Sequence, residues 1–308
     1  MNRTMSDANP SKWAPLPTEQ RNPASAQIDE ASTLRILEIL NEEDSKVPRA
    51  VNAILPRVAE AVERVVAAIG NGGRLFYVGA GTSGRLGVLD AAECPPTFGT
   101  PPGTVQGIIA GGADALVQAA ERAEDRPEDG ASELRRRNLS EWDVVVGIAA
   151  SGVTPFVLGA LEYALRAGAE TVFFTCNPEA AGQVDANVKI VPEVGPEAIT
   201  GSTRLKAGTA TKIVLNMITT AAMVRLGKVY GNLMVDLTPT CAKLNDRARR
   251  ILMETTGLSR EESRRLLAAA GDLKTAIVMS KRAVSKETAR QLLVENGGVV
   301  RLALTNGT

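Results

Sequence analysis

Leu75-Phe76-Tyr77-Val78 followed by Gly79-Ala80-Gly81-Thr82-Ser83-Gly84 reads as a short apolar strand that runs into a glycine-rich turn. The residues after it, through Leu86, Leu89 and Asp90, read as a helix that Pro95-Pro96 stops. Outward from this unit the same alternation continues. Strands are expected at 105–110, 144–148, 171–175 and 188–191, and helices at 113–123, 131–138, 155–166 and 205–226. Upstream, helices are expected at 32–43 and 50–69, the second ended by Asn71-Gly72-Gly73. Strands alternating with helices predict an α/β fold with a parallel sheet covered on both faces. Residues 1–17 are rich in Pro, Ser, Asn and Asp without periodicity and read as a disordered leader. Beyond Leu244 the strand signal ends. Helical patterns near 246–255, 259–269 and 286–295 read as a small C-terminal bundle, so the chain divides into 1–17, 18–240 and 241–308.

Three loops share one chemistry. Residues 79–84 place Thr82, Ser83 and Gly84 where a helix begins, so unpaired N–H groups, the helix dipole and hydroxyls all favour an anion. Ser151, Gly152 and Thr154 repeat this after the third strand, with Pro155 suited to the first helical turn. Ser202 and Thr203 repeat it again, and Arg204 and Lys206 add cations. Gly79, Gly81 and Gly84 satisfy the dinucleotide spacing GxGxxG, but the acidic residue that should close the second strand is missing from the Pro/Gly-rich stretch 98–104. Serine and threonine in the turn suit a phosphate monoester better than a pyrophosphate. The plainer reading is that these hydroxyls cap helices. Three such loops at the carboxyl ends of strands favour a shared anion site over that reading.

Composition removes whole classes of chemistry. The chain has no histidine, so proton transfer near neutral pH falls to Glu, Asp, Lys, Cys or Tyr, and histidine triads and His-rich metal sites are excluded. Its 35 basic and 35 acidic residues cancel, so no global field favours nucleic acid or an anionic membrane. Cys94, Cys176 and Cys241 form no CxxC pair, which fits a reducing cytoplasm, and Cys94 reads as a small buried side chain rather than a nucleophile. No apolar run resembles a signal peptide or reaches ~18 uninterrupted residues.

The loops Gly79-Ala-Gly-Thr-Ser-Gly-Arg85 and Ala149-Ala-Ser-Gly-Val-Thr154 resemble the two phosphate loops of the sugar isomerase (SIS) domain. Gly195-Pro-Glu-Ala-Ile-Thr-Gly-Ser-Thr-Arg-Leu-Lys-Ala-Gly-Thr-Ala210 resembles the signature shared by N-acetylmuramic acid 6-phosphate etherases and glucokinase regulatory protein. Thr18-Glu19…Asn22…Ser25…Ile28-Asp29, Leu89-Asp-Ala-Ala-Glu-Cys-Pro-Pro96 and Tyr230-Gly-Asn-Leu-Met-Val-Asp236 resemble the etherases in particular. The similarity spans residue 18 to the C-terminus. It implies a three-layer αβα SIS domain with a five-stranded parallel sheet, a UBA-like C-terminal bundle, a homodimer and no cofactor. It also implies that Glu93 and Glu124 are the catalytic pair. Cys241 and Asn245 depart from the family, which usually has Asn and often His there.

By this resemblance the reaction is cleavage of a lactyl ether, with Glu124 as base at C2 and Glu93 as acid at C3. Ser83, Ser151, Thr154 and Ser202 would hold the phosphate, and Lys206 would neutralise it or the lactyl carboxylate. Without the resemblance both glutamates read as surface charge. A straight helix from Ser83 to Glu93 separates them by ~15 Å. Either the helix breaks early, or Glu93 serves a site whose phosphate loop belongs to the other subunit of a dimer; the second is favoured. A sugar-phosphate sensor without catalysis and a phosphosugar isomerase are the rival readings. The sensor needs no paired carboxylates, and the isomerase needs no acid at C3.

Overall fold

The computed structural model describes residues 13–118, 120, 122–237 and 242–306. Most of the expected leader, and Cys241 with the expected domain boundary, lie outside the described residues. Where the chain is first described it makes turns rather than a long extended leader, and Pro17–Glu19 is a single 3-10 turn.

Three helices come first: α1 (Thr33–Asp44), α2 (Val47–Ala53) and α3 (Leu55–Gly70). The expected single helix over 50–69 is two, because Pro56 sits in the first turn of α3 and cannot donate back into α2. The sheet then alternates with helices: β1 (Leu75–Gly79), α4 (Gly81–Phe98), β2 (Val105–Ile109), α5 (Pro127–Arg136), β3 (Val144–Ile148), α6 (Pro155–Arg166), β4 (Glu170–Phe174), α7 (Pro178–Gln183) and β5 (Val188–Ile190). The five strands are parallel in the order β2-β1-β3-β4-β5.

Alternation along β1 sets the layers. Leu75 and Tyr77 point into a core shared with Val62 and Val65 of α3, while Phe76 and Val78 point into one shared with Leu134, Phe156 and Leu161. Every residue of β1 and β3 is buried, because helices cover both faces. Each fully buried Phe or Leu in these layers contributes roughly 1.5–3 kcal/mol of transfer free energy. The long helix α8 (Lys206–Arg225) completes the first layer, with Val214, Leu215, Ile218 and Met223 in its core. By length and composition α8 would cross a membrane, but it packs here against α3 and α4.

Several helix expectations change. Pro95-Pro96 does not stop α4; the helix runs on to Phe98, which is buried, and Gly99 ends it in the left-handed conformation. Pro95 and Pro96 remove two N–H donors from the last turns of the helix, while buried Cys94 and Phe98 anchor its end. The helix expected over 113–123 is instead a 3-10 turn, Ala113–Leu116, and a second one, Ala123–Asp125.

A two-stranded hairpin, β6 (Val229–Tyr230) and β7 (Leu233–Met234), leads to α9 (Ala242–Thr256), α10 (Arg260–Ala270), α11 (Leu273–Arg282), α12 (Lys286–Glu295) and α13 (Val300–Thr305). Two of these helices, α11 and α13, were not expected. Residues 273–278 of α11 form a run of six consecutive buried residues that includes Lys274 and Thr275, so burial there does not follow the apolar positions that periodicity reads. Val235 and Leu237 belong to the same core as Leu252, Ile277 and Leu293, so the C-terminal body's core draws on residues that precede 241.

Candidate active site

Gly79, the last residue of β1, lies opposite Ile148, the last residue of β3, so the loops after both strands leave the sheet side by side. One connection crosses to β2 and the other to β4, on opposite sides, which opens a crevice at the carboxyl end of the sheet. The crevice depends on close backbone approach. A Cβ on Gly84 would stand 2.7 Å from the Gly79 carbonyl oxygen and 2.6 Å from Ile109 Cγ1. Gly152 has φ +84°, and a Cβ there would fall 2.3 Å from that of Ala180.

The hydroxyls expected at this crevice cap no helix. Thr82 and Ser83 lie in the first turn of α4, whose N-cap is Ala80, and Thr154 is the N-cap of α6 but makes no capping bond. Among the described residues, the side chains of Thr82, Ser83, Ser151, Thr154, Ser202 and Thr203 make no hydrogen bond with the protein, and all six are half-buried. The plain capping reading therefore explains none of them. Ser151 is held through its backbone, its carbonyl accepting from Asn177 Nδ2 at 2.9 Å.

The third loop differs from the other two. A Cβ on Gly208 would stand 3.5 Å from Thr82 Cγ2, so the start of α8 lies against the start of α4. However, the first N–H groups of α8 are taken: Lys206 and Ala207 each donate to the Glu197 carboxylate at 2.9 Å. An anion is thus already built into that helix end, and burial pushes the Glu197 carboxyl up against the opposing pull of those two N–H groups.

Lys206 is corrected with it. Its side chain is 3% exposed and its Nζ donates to Glu43 Oε2 at 2.5 Å, so it neutralises Glu43 rather than reaching into the crevice. Burial works to raise the Glu43 carboxyl, but hydrogen bonds from Lys206, Lys46 and Asn22 outweigh it and hold it at about 2. Asn22 Nδ2 also donates to the Pro196 carbonyl at 3.0 Å, Ser25 Oγ to that of Ala198 at 2.7 Å, and the Gly201 N–H to that of Thr18 at 2.9 Å. The Thr18…Asn22…Ser25 stretch is therefore the mount of the 196–206 loop.

Glu124 faces both remaining loops. It lines a cavity of about 200 Å³ with Ala80, Gly81, Arg85 and Ala115, and a second of about 380 Å³ with Ser151, Val153 and Thr154. The cation bordering the first is Arg85, whose Nε and Nη2 donate to the carbonyls of Leu116 and Gln118, both at 3.0 Å. Arg85 thus fastens the segment that leads to Glu124. Sequence reasoning missed Arg85, Glu43 and Glu197 as working parts. Arg85 and Glu197 stand inside stretches that carry the family resemblance and Glu43 outside them, but the part each plays is set by contacts that only the fold makes.

Glu93 stands apart. Because α4 is continuous, Glu93 lies ten residues beyond Ser83, ~15 Å along the axis, and it lines neither cavity beside Glu124. It is exposed among Leu89, Ala92 and Pro96, a stripe on one face of α4. Its neighbour Cys94 is buried, and burial, then Asp90 and Glu93, push that thiol up to about 12, which removes it as a nucleophile near neutral pH.

Comparison with known proteins decides the family. The chain is 54% identical over 292 residues to N-acetylmuramic acid 6-phosphate etherase 2 of Vibrio parahaemolyticus, covering 94% of this chain and 97% of that one. The chain belongs to the N-acetylmuramic acid 6-phosphate etherase family. The etherase of Pectobacterium atrosepticum is 52% identical over 95% of this chain and 97% of its own. Residues 57–165 match the family model of the glucokinase regulatory protein N-terminal SIS domain. A phosphoheptose isomerase from Francisella tularensis superposes with a TM-score of 0.51 at 16% identity, over 63% of this chain and all of its own, which shows the SIS fold. Within the etherase family, the paired loops and the glutamate between them form the candidate catalytic crevice.

Proposed function

We propose that this enzyme cleaves the D-lactyl ether of N-acetylmuramic acid 6-phosphate by elimination and hydration, and that Glu124 and Glu93 carry the proton transfers. The observation that carries the proposal is the position of Glu124 between two phosphate-type loops whose hydroxyls make no bonds of their own.

An alkoxide leaves poorly, so an ether needs a route that avoids direct displacement. In the open-chain sugar the C2 proton is acidified by the C1 aldehyde. Glu124 removes it, the C2–C3 double bond forms, and the C3–O bond breaks as Glu93 protonates the departing lactyl oxygen. Water then adds at C3, giving up a proton to Glu93, and Glu124 returns a proton to C2. The products are lactate and N-acetylglucosamine 6-phosphate. Ser83, Ser151 and Thr154, together with the N–H groups opening α4, would hold the phosphate.

One chain does not bring the two glutamates together, and we place Glu93 in the site of a second subunit. Its surroundings support this reading. Leu89, Ala92 and Pro96 form an exposed apolar stripe on α4 in which Glu93 is the one ionisable group, and a covering subunit would give it the desolvation that an acid requires. Lactate release from the purified protein tests the function. Glu93→Gln and Glu124→Gln are each expected to lower kcat by roughly 10²–10⁴. Undiminished release by either variant removes that residue from the chemistry.

A further inference from the structure

The cavity of about 380 Å³ beside Ser151 and Thr154 has a wall that the reaction as described does not use: Trp13, Leu16 and Glu19, from before the first long helix. This segment is fastened where it matters. The Gly201 N–H donates to the carbonyl of Thr18 at 2.9 Å, and a Cβ on Gly201 would stand 3.4 Å from Glu19 Oε2. Ser25 and Asn22 add bonds to the same 196–201 loop. Glu19 therefore stands between the third loop and the β3–α6 loop, lining the same cleft as Glu124. Among the described residues its one side-chain hydrogen bond is accepted from the neighbouring Thr18 hydroxyl at 3.3 Å, which leaves its other oxygen for an incoming donor.

The chemistry of the substrate narrows what that donor is. A carboxylate repels the phosphate and the lactyl carboxylate and accepts only from O–H or N–H. Glu124 must touch C2 to remove its proton. The group attached to C2 is the acetamido group, the only N–H donor in the sugar.

We propose that residues 13–19 form a wall of the substrate pocket and that Glu19 is a specificity-determining residue, accepting a hydrogen bond from the acetamido N–H on C2. This rests on the etherase reading above. It gives the amino-terminal segment a part in recognition, beyond mounting a loop.

The test compares kcat/KM of the full-length wild type, Glu19→Ala and Glu19→Gln on N-acetylmuramic acid 6-phosphate and on its 2-deoxy analogue, which keeps an acidic C2 proton but has no donor there. Glu19→Ala is expected to lose about 10- to 100-fold on the natural substrate, the worth of a hydrogen bond to a charged group, and under about threefold on the analogue. Glu19→Gln, which still accepts through Oε1, should retain more activity than the alanine variant. An equal loss on both sugars, no loss on either, or a glutamine variant as poor as alanine overturns the proposal. A wild type that releases no lactate would instead defeat the etherase reading. The wall itself has an independent readout. The chain has two tryptophans, and Trp142 lies at the far end of the sheet beside Asn71 and Arg74. In Trp142→Phe the emission of Trp13 should shift on adding N-acetylglucosamine 6-phosphate; emission unchanged at saturating sugar contradicts the placement.

Discussion

Replacing Glu43 by glutamine tests whether the buried pair beneath the third loop is what mounts it. The change is nearly isosteric but leaves the Lys206 ammonium, 3% exposed, facing a neutral amide. Breaking a buried pair from one side costs about 3–5 kcal/mol. A second route gives a similar figure: holding Glu43 at about 2 against an ordinary 4.5 corresponds to about 3 kcal/mol. For a domain of this size that is a fall in Tm of about 6–12 °C. The pH dependence has a definite sign. Glu43 is depressed in the folded protein, so its contribution is fully present above pH 4.5. As pH falls from 4.5 toward 2 the unfolded chain takes up a proton that the folded chain refuses, and the contribution is lost. Urea melts of wild type and Glu43→Gln from pH 7 down to 3 should therefore show a gap that is constant near neutrality and narrows in acid. Replacing both partners with apolar residues, Glu43→Leu with Lys206→Met, should recover much of the stability. A gap under about 1 kcal/mol at pH 7, or one that does not narrow in acid, refutes the reasoning.

Other consequences follow from the same geometry. Gly152→Ala places a Cβ 2.3 Å from that of Ala180 at φ +84°, and should raise KM for the sugar phosphate at least tenfold by displacing the Ser151–Thr154 loop, measured by lactate release. Arg85→Met removes the donors to Leu116 and Gln118, and should lower kcat more than it raises KM if their work is to place Glu124; a pure KM effect contradicts that role. Mixed dimers of Glu93→Gln with Ser83→Ala subunits should regain part of the activity that each homodimer lacks, whereas verified heterodimers without recovery argue against a shared site.

The sheet was legible because its strands are short apolar runs, and burial on both faces is what such runs encode. Helix α4 was misjudged at its end because Pro95-Pro96 is a strong local stop that the burial of Phe98 overrides. Helix α11 was missed because Lys274 and Thr275 are buried beside Leu273 and Ala276, Lys274 through its hydrogen bond to Asp236, so the local polar pattern misreports which residues face the core. At the site, the two loops at the ends of β1 and β3 were legible from local turn chemistry, and the register of Gly79 with Ile148 explains why they meet. The third loop was not. Glu43 lies far from Lys206 in sequence and Glu197 only nine residues before it, but the folded chain alone shows that they already satisfy the cation and the helix end.

The most direct test of the central claim is to run the reaction in ¹⁸O-labelled water and locate the label. Elimination followed by hydration puts ¹⁸O on C3 of N-acetylglucosamine 6-phosphate and none in the ether oxygen of the released lactate, with turnover lost in Glu93→Gln and Glu124→Gln. Label in the lactate hydroxyl with an unlabelled C3 oxygen would mean that the other C–O bond breaks, and would contradict the account.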